Sequence, residues 1–138
     1  MKQIRESTFE TNSSSSHSLV IADTPNYNYT IVPAADGIII IHGDDYGWDD
    51  GGKHNNDSLS KARYCAQDQY NNQMAMDMLR EVIMEHTGAK DVHFIGQEDF
   101  YFDHQSQGTT SYAFESRETL KNFLFNSDSY FEIDNDNH

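Results

Sequence analysis

Cysteine is almost missing from this chain: Cys65 stands alone among 138 residues, so no internal disulfide can form. A lone thiol fits a reducing compartment. Proline is nearly as scarce, with Pro25 and Pro33 only. Long apolar runs are missing too; Leu19 to Ala22 and Ile38 to Ile41 have four residues each, far short of the roughly 18–20 that a membrane span needs. Residues 1–6 offer no apolar core for a secretory signal, so none is expected. Cations are the most telling shortage. Nine Lys and Arg face 23 Asp and Glu, for a formal net charge of −14. Duplex affinity comes largely from cations displacing counterions at phosphates, so direct nucleic-acid binding is excluded. The same field favours encounter with basic proteins.

What is present is aromatic: eight Tyr, eight Phe and one Trp, or 12% of the chain. That is too aromatic for a disordered acidic solvator and predicts a small packed core. The acids are unevenly spread. Positions 36–57 hold six against Lys53, 91–103 hold four with no base, and 128–136 hold another four with none.

Alternation over 27–32 predicts a half-buried strand, with 33–37 turning it into a hairpin with Ile38–Ile41. Four consecutive isoleucines suit a central strand covered on both faces. Residues 18–22 read as a further strand. From Ser58 the period becomes helical; Asn71-Asn72 interrupts it, and a second helical stretch closes at Gly88. Met74, Met76, Met78 and Met84 read as core packing. Val92–Ile95 is the next strand, and strand–helix–strand order places it parallel to Ile38–Ile41. Tyr112–Phe114 reads as a strand, Ser116 as the cap of a third helix, and Tyr130–Ile133 as the last strand. The expectation is an α/β or α+β single domain over 1–138, with a mixed β-sheet of about five strands packed by two to three helices. Residues 1–17 form an N-terminal segment carrying the Ser run, and 134–138 an acidic tail that frays.

Two stretches could carry function. After the Ile strand comes His42-Gly43-Asp44-Asp45-Tyr46-Gly47-Trp48-Asp49-Asp50. Ligands of open α/β sheets sit beyond the carboxyl ends of parallel strands, where this loop falls. Asp44, Asp45, Asp49 and Asp50, with Trp48 as an aromatic anchor, are the candidate partner-binding residues; Asp99 and Asp103 join them. No recognised metal-ligand spacing is present, and neither a metal nor a cofactor is expected. The second stretch is Asn12-Ser13-Ser14-Ser15-Ser16-His17, whose hydroxyls could meet an anionic ligand together with His42. No nucleophile elbow, Walker loop or dinucleotide-binding glycine motif accompanies it, and an enzyme is not expected. Cys65 reads as structural.

The run Ile4-Arg5-Glu6-Ser7-Thr8-Phe9-Glu10-Thr11-Asn12-Ser13-Ser14-Ser15-Ser16-His17-Ser18-Leu19 resembles the opening of a family of small, uncharacterised proteins of tailed phages and prophage-carrying bacterial genomes. Tyr46-Gly47-Trp48, Lys61-Ala62-Arg63-Tyr64, Glu85-His86-Thr87-Gly88-Ala89 and 122–129 are similar, in order and spacing, to its later parts. The resemblance implies phage or prophage origin and action in the cytoplasm of a bacterial host. It carries no activity with it. The expectation that follows is an accessory protein that binds and inhibits a basic host protein — a nuclease, a restriction or CRISPR effector, or a polymerase — through its acidic surface, as a nucleic-acid mimic. Two alternatives stay open: a small-ligand (nucleotide or metal) binding protein or sponge using 13–17 and 42–45, and a minor virion component. Homo-oligomerisation is open as well.

Overall fold

The computed structural model describes residues 2–6, 15–46, 53–103 and 106–135. Six strands and three α-helices follow in the order β1 (Lys2–Glu6), β2 (Ser15–Ile21), β3 (Ile38–His42), β4 (Lys53–Asn55), α1 (Ser58–Gln69), α2 (Gln73–Thr87), β5 (Asp91–Ile95), α3 (Arg117–Phe125) and β6 (Tyr130–Asn135). The class is mixed α/β, as expected, but the strands form two sheets rather than one sheet of about five. β1-β2-β6-β4 is antiparallel throughout, and β3-β5 is a separate parallel pair. Among the described residues no helix is long and apolar enough to cross a membrane.

Local chemistry explains each helix. Asp57 caps α1 by accepting from the Ser60 N–H at 2.9 Å, Asn72 caps α2 through Ala75, and Ser116 caps α3 through Thr119. Gly88 ends α2 at φ +75°, a left-handed conformation that favours glycine. α1 is buried on most of its circumference and lies between the sheets. Its Tyr64 ring stacks on Phe131 of β6, with centroids 4.0 Å apart, while Gln67 reaches the loop after β3. Lys61 is buried with it, donating to the Asn126 and Ser129 carbonyls at 2.9 Å each. The core gathers Leu19, Ile39, Ile41, Tyr64, Leu79, Val92, Phe123 and Phe131 from both sheets and all three helices.

Several expectations need correction. Residues 27–32 form no strand beside β3. The Asn28 N–H donates to the Phe125 carbonyl at 2.8 Å and Tyr27 makes an isolated bridge with Asn126, so this segment docks on the end of α3. The hairpin reduces to a turn in which Ala34 N–H donates to the Ile38 carbonyl at 3.0 Å. β3 is covered on one face only: Ile39 and Ile41 are buried, whereas Ile40 is 45% exposed. Tyr112–Phe114 lies in a 3-10 helix, Thr109–Glu115, where glycine-led turning and Asp68 hydrogen bonds replace a strand ladder. Of the tail 134–138 expected to fray, Asp134 and Asn135 pair with Ser16 and Ser15, and 136–138 lie outside the described residues. Met74 is exposed; Met76 is the buried one, with Met78 and Met84 packed at the core's margin.

Candidate functional site

Two chain segments leave the carboxyl end of the parallel pair together. After β3, the Gly43 N–H donates to the Ile95 carbonyl at 3.0 Å, extending the ladder one step. Gly43 is obligatory there by space: a Cβ would lie 2.6 Å from the Phe100 ring and 2.8 Å from the Gly96 carbonyl oxygen. Beyond it, Tyr46 N–H donates to the Tyr101 carbonyl and Asp103 N–H to the Tyr46 carbonyl, both at 2.7 Å. The two loops thus run side by side as far as Phe102.

Two buried glutamines fix this arrangement from below. Gln67 of α1 accepts from the Asp44 N–H at 3.1 Å and donates to the Gln97 carbonyl at 2.8 Å. Gln97, in a 3-10 turn over Gln97–Asp99, donates to the Ile41 carbonyl at 2.9 Å. Buried amides with satisfied donors and acceptors hold a loop in one geometry. On the outside, Asp45 accepts from the Tyr101 N–H at 2.8 Å and Asp44 from the Asp45 N–H, also at 2.8 Å.

The outer surface is acidic and aromatic. Asp44, Asp45 and Asp99 are exposed. Phe100 and Tyr101 are 42% and 49% exposed beside them. These rings, with Tyr70, wall a cavity of about 370 Å³ whose floor includes Asp68 and Gln67. The Asp68 carboxylate is mostly enclosed. It accepts from the Gly108 N–H, the Thr110 N–H and the Thr110 hydroxyl at 2.8, 2.9 and 2.6 Å, and burial raises its pKa despite these bonds.

The remaining candidates fall elsewhere. Asp103 is only 5% exposed and offers no face to a partner, a correction forced by its packing under the Tyr46 loop. His17 needs the same correction as a ligand contact. It is fully buried, its Nδ1 hydrogen-bonded to the Tyr64 hydroxyl at 2.6 Å and its ring 5.1 Å from that of Phe102. Burial lowers its pKa from 6.5 to about 4, with the Asp103 charge opposing that shift. Ser15 and Ser16 belong to β2, paired with Asn135 and Asp134 of β6, while His42 is exposed at the end of β3. Asn12, Ser13, Ser14, Trp48, Asp49 and Asp50 lie outside the described residues. Among the described residues no group of three or more His, Cys, Asp or Glu side chains gathers to hold a metal ion. Cys65 is buried, and burial pushes its thiol pKa up, away from nucleophilic chemistry.

Sequence reasoning missed Tyr70, Phe100 and Tyr101. The only available signal was three consecutive aromatics, 100–102, of which only the third is buried. Compared with known proteins, the chain matches no family model, no curated protein and no solved structure at a significant level.

Proposed function

We propose that this is a phage-encoded accessory protein that acts inside the bacterial host, where it binds and inhibits a basic protein that normally holds nucleic acid. Its contact face is the acidic and aromatic end of the parallel pair. One observation carries the reading: Asp44, Asp45 and Asp99 are exposed on a hydrogen-bonded rim, and among the described residues no ion pair neutralises them. Carboxylates held at fixed spacing can replace phosphates in a groove lined by Arg and Lys. Phe100 and Tyr101 add apolar area beside the charge, as interface centres require. The same carboxylates repel a nucleotide's phosphates, which weighs against the sponge alternative.

The test is capture from host lysate on the immobilised protein at about 0.05 M and about 0.5 M salt, with duplex DNA and RNA as competitors. The expected catch is a nucleic-acid-binding protein that is released by salt and displaced by duplex. It should be lost with the Asp44→Asn/Asp45→Asn/Asp99→Asn variant, in which the side-chain amide oxygen introduced at position 45 can still accept from the Tyr101 N–H. Capture that survives both the triple variant and duplex competition would rule the mimic out.

A further inference from the structure

The parallel pair β3-β5 has two edges, and they are finished differently. On the outer edge of β5, the Val92 carbonyl accepts from Arg80 Nε at 3.1 Å and the Val92 N–H donates to Asp91 Oδ1 at 2.8 Å. The Arg80 guanidinium also covers the Phe94 ring, 5.5 Å from its centroid. That edge is closed at Val92, and the cation standing over Phe94 opposes a basic strand there.

The outer edge of β3 is closed only at its ends. The register, together with the Gly43 bond to Ile95, turns the backbone groups of Ile39 and Ile41 towards β5 and those of Ile38, Ile40 and His42 away from it. Ile38 is satisfied: its N–H donates to Asp36 Oδ1 and its carbonyl accepts from Ala34, both at 3.0 Å. At the far end the Asp44 N–H donates to Gln67. Between them, the N–H and carbonyl groups of Ile40 and His42 have no hydrogen-bond partner among the described residues. A groove of about 300 Å³ lies along this edge, between Ile38–Ile40 and the 30–34 segment, with Leu59 of α1 beneath. Val32, on its far wall, is 79% exposed. Unpaired ladder groups beside an apolar groove form a template for an added strand.

We propose that the open edge of β3 takes up an extended segment of a basic protein as a third strand, with apolar side chains in the groove and Lys or Arg at its two ends. This rests on the basic-partner reading above and specifies how such a partner is gripped. Charge selects the occupant. A second copy of this chain, paired antiparallel about Ile40, would set its Asp36 against Asp44 of the first copy and the reverse, since both lie four residues from Ile40. Two like-charge pairs at the ends of a short ladder oppose self-pairing in a chain already at −14. The same two acids attract a strand with cationic ends.

Amide hydrogen exchange, read residue by residue by NMR, tests this with the capped peptide Lys-Thr-Val-Thr-Val-Thr-Val-Thr-Lys as probe. In the free protein the Ile40 and His42 amides should exchange fast and those of Ile39 and Ile41 slowly. Saturating peptide should slow Ile40 and His42 by at least about tenfold. Replacing both terminal Lys by Glu should weaken binding by about tenfold or more at low salt. Ile40→Pro removes an N–H that faces away from β5, a position where an edge strand tolerates proline. It should keep Ile41 protected and lose the peptide. A peptide N-methylated at its valines provides the same test without altering the fold, and it should not bind. Protection of Ile40 and His42 in the dilute free protein, protection that rises with protein concentration alone, or equal binding of the Glu-ended peptide would each overturn the proposal. Absent peptide protection in the wild type with lysate capture intact overturns the added strand alone; capture that survives Asp45→Asn/Asp99→Asn and duplex competition, with peptide protection intact, overturns the acidic face alone.

Discussion

Acid should unfold this protein through His17. The ring is fully buried against Phe102 and Tyr64, and its pKa falls from 6.5 to about 4 because burial penalises the imidazolium, with Asp103 opposing. Above pH 6.5 the ring is neutral in both states and costs nothing. Below it the unfolded chain takes up a proton that the folded chain refuses, so unfolding gains free energy until the folded ring protonates near pH 4. About two and a half pKa units, at about 1.4 kcal/mol each, amount to about 3.5 kcal/mol, of which about 3 is reached at pH 4, where the folded ring is half protonated. That is a large share of the roughly 5–15 kcal/mol that holds a domain together. Asp68, whose pKa burial raises, contributes the opposite slope. The clean quantity is therefore the difference between wild type and His17→Gln, which stays neutral and can still bond to Tyr64. Urea unfolding followed by far-UV circular dichroism, stepped from pH 7.5 to 4, should show that difference shift against wild type by about 3 kcal/mol. Parallel profiles for the two proteins would refute the buried neutral ring.

Other perturbations follow from the same geometry. Lys61→Met leaves the Asn126 and Ser129 carbonyls without their donor and should cost about 2–4 kcal/mol by thermal melting. Because burial lowers the Lys61 pKa to about 8, below its unfolded 10.5, wild type should gain stability relative to that variant as pH rises from 8 to 10.5. Asp68→Ala removes the acceptor shared by Gly108 and Thr110 and should cost about 3 kcal/mol, with faster amide exchange at both residues. Arg63→Met should be neutral or stabilising by up to about 1 kcal/mol in urea titrations, since the buried Arg63 Nε has no hydrogen-bond partner among the described residues.

The elements that sequence reveals here are those with local signatures. The change of period at Ser58, its interruption at Asn71-Asn72 and the cap Ser116 announce the helix starts, Gly88 announces a stop, and strand–helix–strand order suffices for the parallel pairing of β3 with β5. What escapes is decided at a distance. β2 pairs with β6, from the other end of the chain, and no local pattern encodes that choice; once it is made, β3-β5 is left as a sheet of its own. The short, polar β4, KHN, carries no apolar alternation to betray it. Residues 27–32 alternate like a strand, yet the free carbonyl of Phe125 at the end of α3 claims the Asn28 N–H. The site divides in the same way. Asp44, Asp45 and Asp99 could be placed because loops after parallel strands gather at one end. The outward turn of Phe100 and Tyr101 depends on Gly43 making room for the Phe100 ring, a contact between residues far apart in sequence.

Where the cations go matters as much as where the acids are. Arg80 pairs with Asp77 and Asp91, and Arg117 with Glu81 and Glu85, so the acids of α2 are largely compensated on its surface. Lys121 lies over the Tyr27 ring, 4.4 Å from its centroid, and Lys61 is buried beneath α3. None of these reaches the loops beyond β3 and β5. Among the described residues, Asp44, Asp45 and Asp99 therefore keep an uncompensated field beside exposed rings. Screening shortens that field to about 8–10 Å at ordinary salt, so a partner feels the carboxylates it touches and little of the total. Affinity should then follow the position of the neutralised acid: Asp99→Asn weakens capture, whereas Asp128→Asn, which removes the same charge beside Asn26, leaves it unchanged.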